Sequence, residues 1–126
     1  MKKVFVSFVL AAALYSCGGD DKTGSAGSDN KEEKKAADDP AYTEGMTLVA
    51  NGGCPTCHKI DEASTGPEYR KVAEKYPNTP ENVAMLAGKV IKGGSGNWGT
   101  IPMTPHPDVS PEDAAKMVKY ILMLKK

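Results

Sequence analysis

Large aromatic residues are scarce in most of this chain. Both phenylalanines, Phe5 and Phe8, lie within the first ten of its 126 residues. Beyond residue 40 the aromatic residues are Tyr42, Tyr69, Tyr76, Trp98 and Tyr120. A small domain with so few large apolar side chains has limited means of building a core. The scarcity favours a bound apolar cofactor that fills the core, without identifying it.

The chain also lacks an excess of charge of one sign. Its 16 basic residues balance its 16 acidic residues, so there is no basic field of the kind that nucleic-acid binding requires. No apolar run approaches the ~20 residues of a membrane-spanning helix. The longest such run, Val4 to Leu14, directly follows Lys2 and Lys3. This order of charge and apolar residues is typical of a secretory signal, so we expect the protein to be exported.

The signal ends in the residues LYSC at 14–17, which resembles the lipobox of bacterial lipoproteins, although Tyr15 is bulkier than usual. Because an odd cysteine in an exported protein needs an explanation, we predict a signal peptide over residues 1–16 and a lipid-modified Cys17. Such a protein would be anchored to a bacterial membrane and face the periplasm. The alternative is an ordinary signal cleaved after Ala11–Ala13, which leaves Cys17 as a free thiol.

Residues 17–40 are predicted to be a flexible linker. Between residues 18 and 39 the side chains are small, polar or charged, and no large apolar residue is present. Such a segment cannot bury enough surface to fold. It serves either as a leash that lets the anchored domain reach its partners or as a spacer of no particular length. Residues 41–126 then form one domain.

The strongest motif of that domain is Cys54-Pro55-Thr56-Cys57-His58. Two cysteines three residues apart and followed at once by histidine are the signature of covalent c-type haem attachment. The thiols add to the two vinyl groups of the haem, and the imidazole reaches the iron. A redox-active disulfide or part of a zinc site are the alternatives. Zinc requires four ligands, however, and the chain has only His106 and Cys17 besides these.

Helix signals recur through residues 41–126. Asp39 precedes Pro40 as an N-cap, and a second helix is predicted over 67–76. A third begins after Thr79 and ends at Gly93, and the last begins after Ser110. No alternating strand pattern of useful length is present. The sequence therefore predicts an all-α domain of about four short helices around one haem.

A long segment rich in glycine and proline, residues 93–107, separates the last two helices. It is expected to lack regular structure, and loops of this length are usually functional or disordered. Met103 lies between two prolines and offers a thioether, a neutral ligand that raises the potential of a haem when it is paired with histidine. Met103 could instead be a packing residue, and His106 could compete as an imidazole ligand.

Taken together, these motifs resemble a small bacterial class I mono-haem cytochrome c. The likeness covers most of residues 41–126 and is carried by Cys54–His58, by Gly66-Pro67, by the NWGTIPM run at 97–103 and by the terminal helix at 118–124. Thr104 stands where the family often has proline. The resemblance implies the cytochrome c fold and one covalent haem c.

The resemblance also implies a set of binding residues. Cys54 and Cys57 would form the thioethers, His58 would be the proximal ligand and Met103 the distal ligand. The Pro67 carbonyl would accept the proton on the far nitrogen of His58, and Trp98 would pack near the haem edge and donate toward a propionate. Arg70, the only arginine, is expected on a solvated helix face, and contact with a propionate is the alternative.

The predicted function is therefore one-electron transfer rather than enzyme catalysis. The expected partners are respiratory redox proteins such as quinol-oxidising complexes, terminal oxidases or periplasmic reductases. Two alternatives come from other classes of protein. One is a haem enzyme or gas sensor with an open sixth iron position, and the other is a haem-free dithiol oxidoreductase lipoprotein. Against the second, no strand pattern of the thioredoxin kind is visible.

Overall fold

The computed structural model describes residues 37–126, so the predictions for residues 1–16, for Cys17 and for most of the linker lie outside the described residues. The described part contains four α-helices, as predicted, and a short 3-10 helix at Cys54–Thr56. The α-helices are α1 (Pro40–Asn51), α2 (Tyr69–Lys75), α3 (Pro80–Lys92) and α4 (Pro111–Met123). Within residues 37–126, none of the helices is long and apolar enough to cross a bilayer.

Three of the helices begin where the capping residues predict. The side chains of Asp39, Thr79 and Ser110 accept hydrogen bonds from backbone amides in the first turns of α1, α3 and α4 respectively. A proline follows each cap, where its fixed φ suits the first helical position and its missing N–H costs nothing. Helix α3 ends at Gly93, which has a φ of 69°. These boundaries therefore follow from local sequence.

Helix α2 is shorter than the predicted helix over 67–76. Glu68 is extended, with φ −59° and ψ 139°, and the carbonyl of Pro67 is bonded to the ring of His58 instead of to a helical amide. At the other end Tyr76 is extended as well, the conformation that a residue adopts most readily before a proline such as Pro77. The helix is confined to the seven residues between these two points.

The predicted helical fold is confirmed, but the expectation that residues 93–107 lack regular structure is wrong, because they contain a short hairpin. Strands β1 (Gly94–Gly96) and β2 (Gly99–Met103) form an antiparallel hairpin in which Gly94 pairs with Met103 and Gly96 with Gly99. Gly96 and Gly99 flank the two-residue turn with φ values of 104° and 116°. Only glycine adopts such values freely, so the glycines make the tight hairpin possible.

Helix α4 is the centre of the fold because it contributes to both core clusters. Met117, Tyr120 and Leu124 pack with residues of α1 and α2, while Ala114, Val118 and Leu122 pack with α3. The helices α1 and α4 cross at Gly45, where an added Cβ would lie 2.5 Å from both the Lys116 carbonyl oxygen and the Tyr120 Cβ. The crossing therefore depends on a glycine.

Candidate cofactor site

A cavity of about 430 Å³ lies between the Cys54–His58 segment, helix α3, helix α4 and the hairpin. This volume falls in the usual range of small-molecule and cofactor sites, roughly 300–1,000 Å³. Much of its wall is aliphatic, from Val49, Leu86, Val90, Val118 and Ile121. The same cavity is lined by all of the cofactor-binding residues that the sequence predicts. These are Cys54, Cys57, His58, Pro67, Trp98 and Met103.

The two thiols lie on either end of one tight turn. Gly53, in the left-handed conformation, starts the 3-10 turn, and the amides of Cys57 and His58 both donate to the Cys54 carbonyl oxygen, at 3.2 and 3.0 Å. Cys54 is half-buried and Cys57 is exposed, and no disulfide joins them. Burial raises the pKa of the Cys54 thiol. The turn thus presents both sulfurs and the following imidazole to the same cavity.

The imidazole of His58 is oriented by a hydrogen bond to the backbone. Its Nδ1 lies 2.8 Å from the carbonyl oxygen of Pro67. Because a carbonyl can only accept, Nδ1 carries a proton, so in the neutral form of the ring the lone pair lies on Nε2. A neutral imidazole with a free Nε2 is the form that binds a metal ion.

Two further contacts hold the ring of His58. Tyr69 stacks on it, with 5.3 Å between ring centroids and 13° between ring planes. Gly66 lies against it so closely that an added Cβ would be 2.7 Å from Nδ1 and 2.9 Å from Nε2. Burial raises the pKa of Tyr69, so its phenol stays neutral. The ring is thereby fixed in position as well as in tautomer.

Arg70 is not on a solvated helix face, contrary to the expectation from sequence. Its side chain is only 13% exposed, and it pairs with Asp61 and donates to the Leu124 carbonyl oxygen at 2.8 Å. The backbone amides of Tyr69 and Arg70 also donate to the carbonyls of Lys59 and Ile60. These bonds fasten the segment that follows His58 to the end of helix α4.

Met103 stands at the end of strand β2 and is the only half-buried residue of the hairpin, since the other strand residues are exposed. The chain is tightly packed here, because an added Cβ on Gly93 would meet the Met103 carbonyl oxygen and would lie 3.0 Å from the Pro105 nitrogen. The His106 amide donates to the Val90 carbonyl oxygen at 3.1 Å. These contacts join the base of the hairpin to helix α3.

The turn of the hairpin lies at the solvent edge of the cavity. Trp98 is 44% exposed and Ile101 64% exposed, yet both contribute to the cavity wall. The ammonium of Lys75 lies 4.6 Å from the centroid of the Trp98 ring. The cavity therefore opens to solvent beside Trp98, Ile101 and the exposed Cys57.

Sequence reasoning missed several residues that shape this site. The sequence alone gives neither Tyr69 nor Lys75 a role in the site. Lys89 also lines the cavity. The available signal for Tyr69 is its place in the sequence, two residues after Pro67, whose carbonyl the family resemblance connects with His58. No local signal indicates the contact of Lys75 with the hairpin.

The donor set fits a covalently attached haem better than a metal ion alone. Among the described residues there is no group of three or more His, Cys, Asp or Glu side chains that could hold a metal ion. The cavity instead combines two free thiols, an imidazole with a free Nε2 and a thioether with a largely apolar wall. Thiols for attachment, nitrogen and sulfur for the iron and apolar surface for the macrocycle are the groups that haem c requires.

Comparison with known proteins gives the same result. The sequence model described as cytochrome c matches residues 42–125. Cytochrome c-552 of Hydrogenobacter thermophilus is 41% identical over 78 residues, which cover 62% of this chain and 79% of that protein. Cytochrome c-551 of Azotobacter vinelandii is 41% identical over 81 residues, which cover 64% of this chain and 98% of that protein.

Solved structures also resemble this domain. The crystal structure of wild-type Nitrosomonas europaea cytochrome c552 superposes with a TM-score of 0.60 at 38% identity, covering 64% of this chain and 99% of that one. A class 1 cytochrome of Sideroxydans lithotrophicus gives a TM-score of 0.56 at 30% identity. With four helices around a cavity that fits one haem c, the chain belongs to the cytochrome c family, as a class I mono-haem electron carrier of the c-551/c-552 type.

Proposed function

We propose that this cytochrome c is an exported one-electron carrier with His58 and Met103 as axial ligands, tethered to a membrane through a lipid-modified Cys17. The observation that carries the ligand assignment is that both side chains line one cavity, together with the thiols of Cys54 and Cys57. His58 enters it with the proton on Nδ1, bonded to Pro67, and with Nε2 free. Imidazole and thioether are both neutral donors, a pair that raises the haem potential.

Each part of the cavity wall has a role in this proposal. The bound haem supplies a single-electron couple between ferrous and ferric iron. Cys54 and Cys57 hold it in place, while the aliphatic residues of α3 and α4 exclude water and so contribute to the potential. The solvent-exposed side at Trp98 and Ile101 gives a redox partner access to the cofactor edge, and the Trp98 indole is the proposed donor toward a propionate.

A filled sixth position separates a carrier from a haem enzyme or gas sensor. The placement of Met103 supports the carrier, because it is the one strand residue of the hairpin that is half-buried, and it lines the cavity. His106 also lines the cavity and is the competing ligand. His106 is less suited to that role. Its backbone amide is bonded to the Val90 carbonyl of α3, and Pro105 separates it from Met103 along the chain.

The axial ligands are tested by the optical spectra of the haem-loaded wild type and of Met103→Ala. We expect the wild type to show a c-type reduced band and a weak red ferric band from sulfur ligation. Met103→Ala should lose the red band and bind carbon monoxide in the ferrous state. Met85→Ala is the matched control, since Met85 is 40% exposed on α3 and should keep the red band. A red band that survives in Met103→Ala, or a wild type that binds carbon monoxide readily, contradicts His–Met ligation.

The membrane tether rests on the sequence of residues 1–40 alone. The partners proposed are quinol-oxidising complexes, terminal oxidases or periplasmic reductases, which a leashed carrier could reach near the membrane. If Cys17 is lipid-modified, the wild type fractionates with membranes, because several acyl chains anchor a protein firmly. Cys17→Ala should then release a haem-loaded domain with unchanged spectra. Equal membrane association of the two proteins would refute the anchor while leaving the carrier function intact.

A further inference from the structure

The hairpin that carries Met103 is fastened at two separate places. At its base, Gly93 packs against Met103 and Pro105, and the His106 amide bonds to α3. At its tip, the two turn residues are Asn97 and Trp98. Between these two places the strand residues are exposed to solvent except for Met103. The contacts at the tip therefore help to hold the hairpin against the cavity.

Lys75, the last residue of α2, contacts both residues of the tip. Its ammonium donates to the Asn97 carbonyl oxygen at 3.3 Å and lies 4.6 Å from the centroid of the Trp98 ring. It is also 5.6 Å from the ring of Tyr76. A cation over the face of tryptophan is the strongest form of cation–π contact. Only a cationic side chain can make both contacts at once.

Helix α2 connects this contact to the other side of the cavity. Its first residue, Tyr69, stacks on the ring of His58, and its last residue, Lys75, holds the hairpin tip. Seven residues of helix extend about 10 Å, so one short rigid element joins the surroundings of His58 to the segment that presents Met103.

We propose that Lys75 is a positioning residue that latches the hairpin and so keeps Met103 on the iron. This inference rests on the proposed ligation by Met103. Lys75 does not line the cavity and acts only through Asn97 and Trp98. Removing the charge of Lys75 frees the tip. The hairpin then spends more time in positions from which the Met103 sulfur cannot reach the iron.

The size of the effect follows from the contacts that are lost. Loss of a charged hydrogen bond and of an exposed cation–π contact should raise the open population about five- to tenfold. An external ligand that binds only the open form has an apparent Kd inversely proportional to the open fraction. The apparent affinity for such a ligand should therefore rise by the same factor.

The test is titration of the haem-loaded ferric protein with imidazole, followed through loss of the red band. Lys75→Met keeps the length of the side chain and removes the charge, and it should bind imidazole about five- to tenfold more tightly than the wild type. Lys75→Arg restores a cation and should return the affinity to within about twofold. Lys71→Met is the matched control, because Lys71 lies on the same helix and pairs with Glu74 instead of with the hairpin.

A second control separates the latch from a general loss of stability. Ser110→Ala removes the N-cap of α4, a residue outside the hairpin, and should lower the resistance to urea without changing imidazole affinity. The latch is refuted if Lys75→Met binds imidazole as the wild type does, or if Lys71→Met or Ser110→Ala shows an equal rise. A wild type without a red band refutes His–Met ligation, and the latch with it. A wild type with that band and an unchanged Lys75→Met refutes the latch alone.

Discussion

The two sides of the cavity are built in different ways. On the side of His58, the segment from Cys54 to Tyr69 is bonded to itself, since the Gly66 amide donates to the Cys57 carbonyl oxygen at 2.8 Å and the Tyr69 amide to that of Lys59 at 2.9 Å. The imidazole is held there by Pro67 and Tyr69. On the side of Met103, the supporting element is a two-stranded hairpin exposed along most of its length.

This difference suggests to us that the polypeptide fixes one of the two proposed ligands, His58, and leaves the other, Met103, adjustable. The tautomer and orientation of His58 are set by protein groups, Pro67 and Tyr69, which is how outer-shell partners tune a metal ligand. Met103 stands at the base of a hairpin that is held at its base and at its tip, and a two-stranded hairpin has little stability of its own. The following predictions test that comparison.

Loss of haem should have the largest effect, because it should unfold the His58 side and the Met103 side of the cavity together. Without its cofactor, the cavity of about 430 Å³ leaves its aliphatic wall facing water, and a small domain has a total stability of only about 5–15 kcal/mol. We therefore expect Cys54→Ala/Cys57→Ala chains purified without haem to be largely unfolded by circular dichroism. Cooperative melting with full helical content would contradict this.

Gly66→Ala should be the most damaging single change on the His58 side. The new Cβ would lie 2.7 Å from Nδ1, and the ring is held by Pro67 and Tyr69, so it cannot move without breaking a contact. We expect a loss of about 1–3 kcal/mol or more in the free energy of unfolding of the haem-loaded protein, measured in urea.

Gly88→Ala provides the control for this substitution. Gly88 lies inside α3, and an added Cβ there meets nothing within 4 Å. Because alanine favours the helix, this variant should be more stable than the wild type by about 0.5–1 kcal/mol. If both variants lose stability equally, the packing of Gly66 on the imidazole is not the cause.

Gly93→Ala should affect the Met103 side, and its clearest effect should be on the ferric spectrum. Gly93 has φ 69° and ψ −158°, a region open almost only to glycine, and a Cβ would press on the Met103 carbonyl oxygen. The strain amounts to about 1–3 kcal/mol. Because the base of the hairpin can shift to relieve it, we expect the red ferric band to weaken while His58 stays bound.

Gly53→Ala is the matched control for Gly93→Ala. Gly53 has nearly the same φ, 70°, but its ψ of 8° is in the left-handed helical region and its Cβ would meet nothing within 4 Å. Gly53→Ala should lower the free energy of unfolding by about 1–2 kcal/mol and keep the red band. A red band lost in Gly53→Ala and retained in Gly93→Ala would reverse the comparison.

Much of the His58 side and of the helical frame could be predicted from sequence because the signals are local. The spacing of Cys54, Cys57 and His58 indicates the cofactor, and the caps at Asp39, Thr79 and Ser110 mark where helices begin. The hydrogen bond between His58 and Pro67 came from the family resemblance, and the structure contains it.

The hairpin was missed because its strands have no alternation of apolar and polar residues. Its only signal is the pair of glycines, Gly96 and Gly99, around a two-residue turn, which is typical of a tight hairpin. The bond of Arg70 to the Leu124 carbonyl joins residues 54 apart, and the contact of Lys75 with Trp98 depends on how α2 is aimed. Contacts of this kind depend on tertiary structure and leave no local pattern.

The glycine crossing of α1 and α4 has a consequence for the order of folding. Lys116 and Glu44, which are paired at that crossing, are 72 residues apart, so docking the two helices closes a loop that costs about 4 kcal/mol of chain entropy. Helix α1 has no other large helical partner in the described domain. Until α4 is available, the segment with Cys54 and Cys57 therefore remains open, and both thiols stay within reach of whatever attaches the haem.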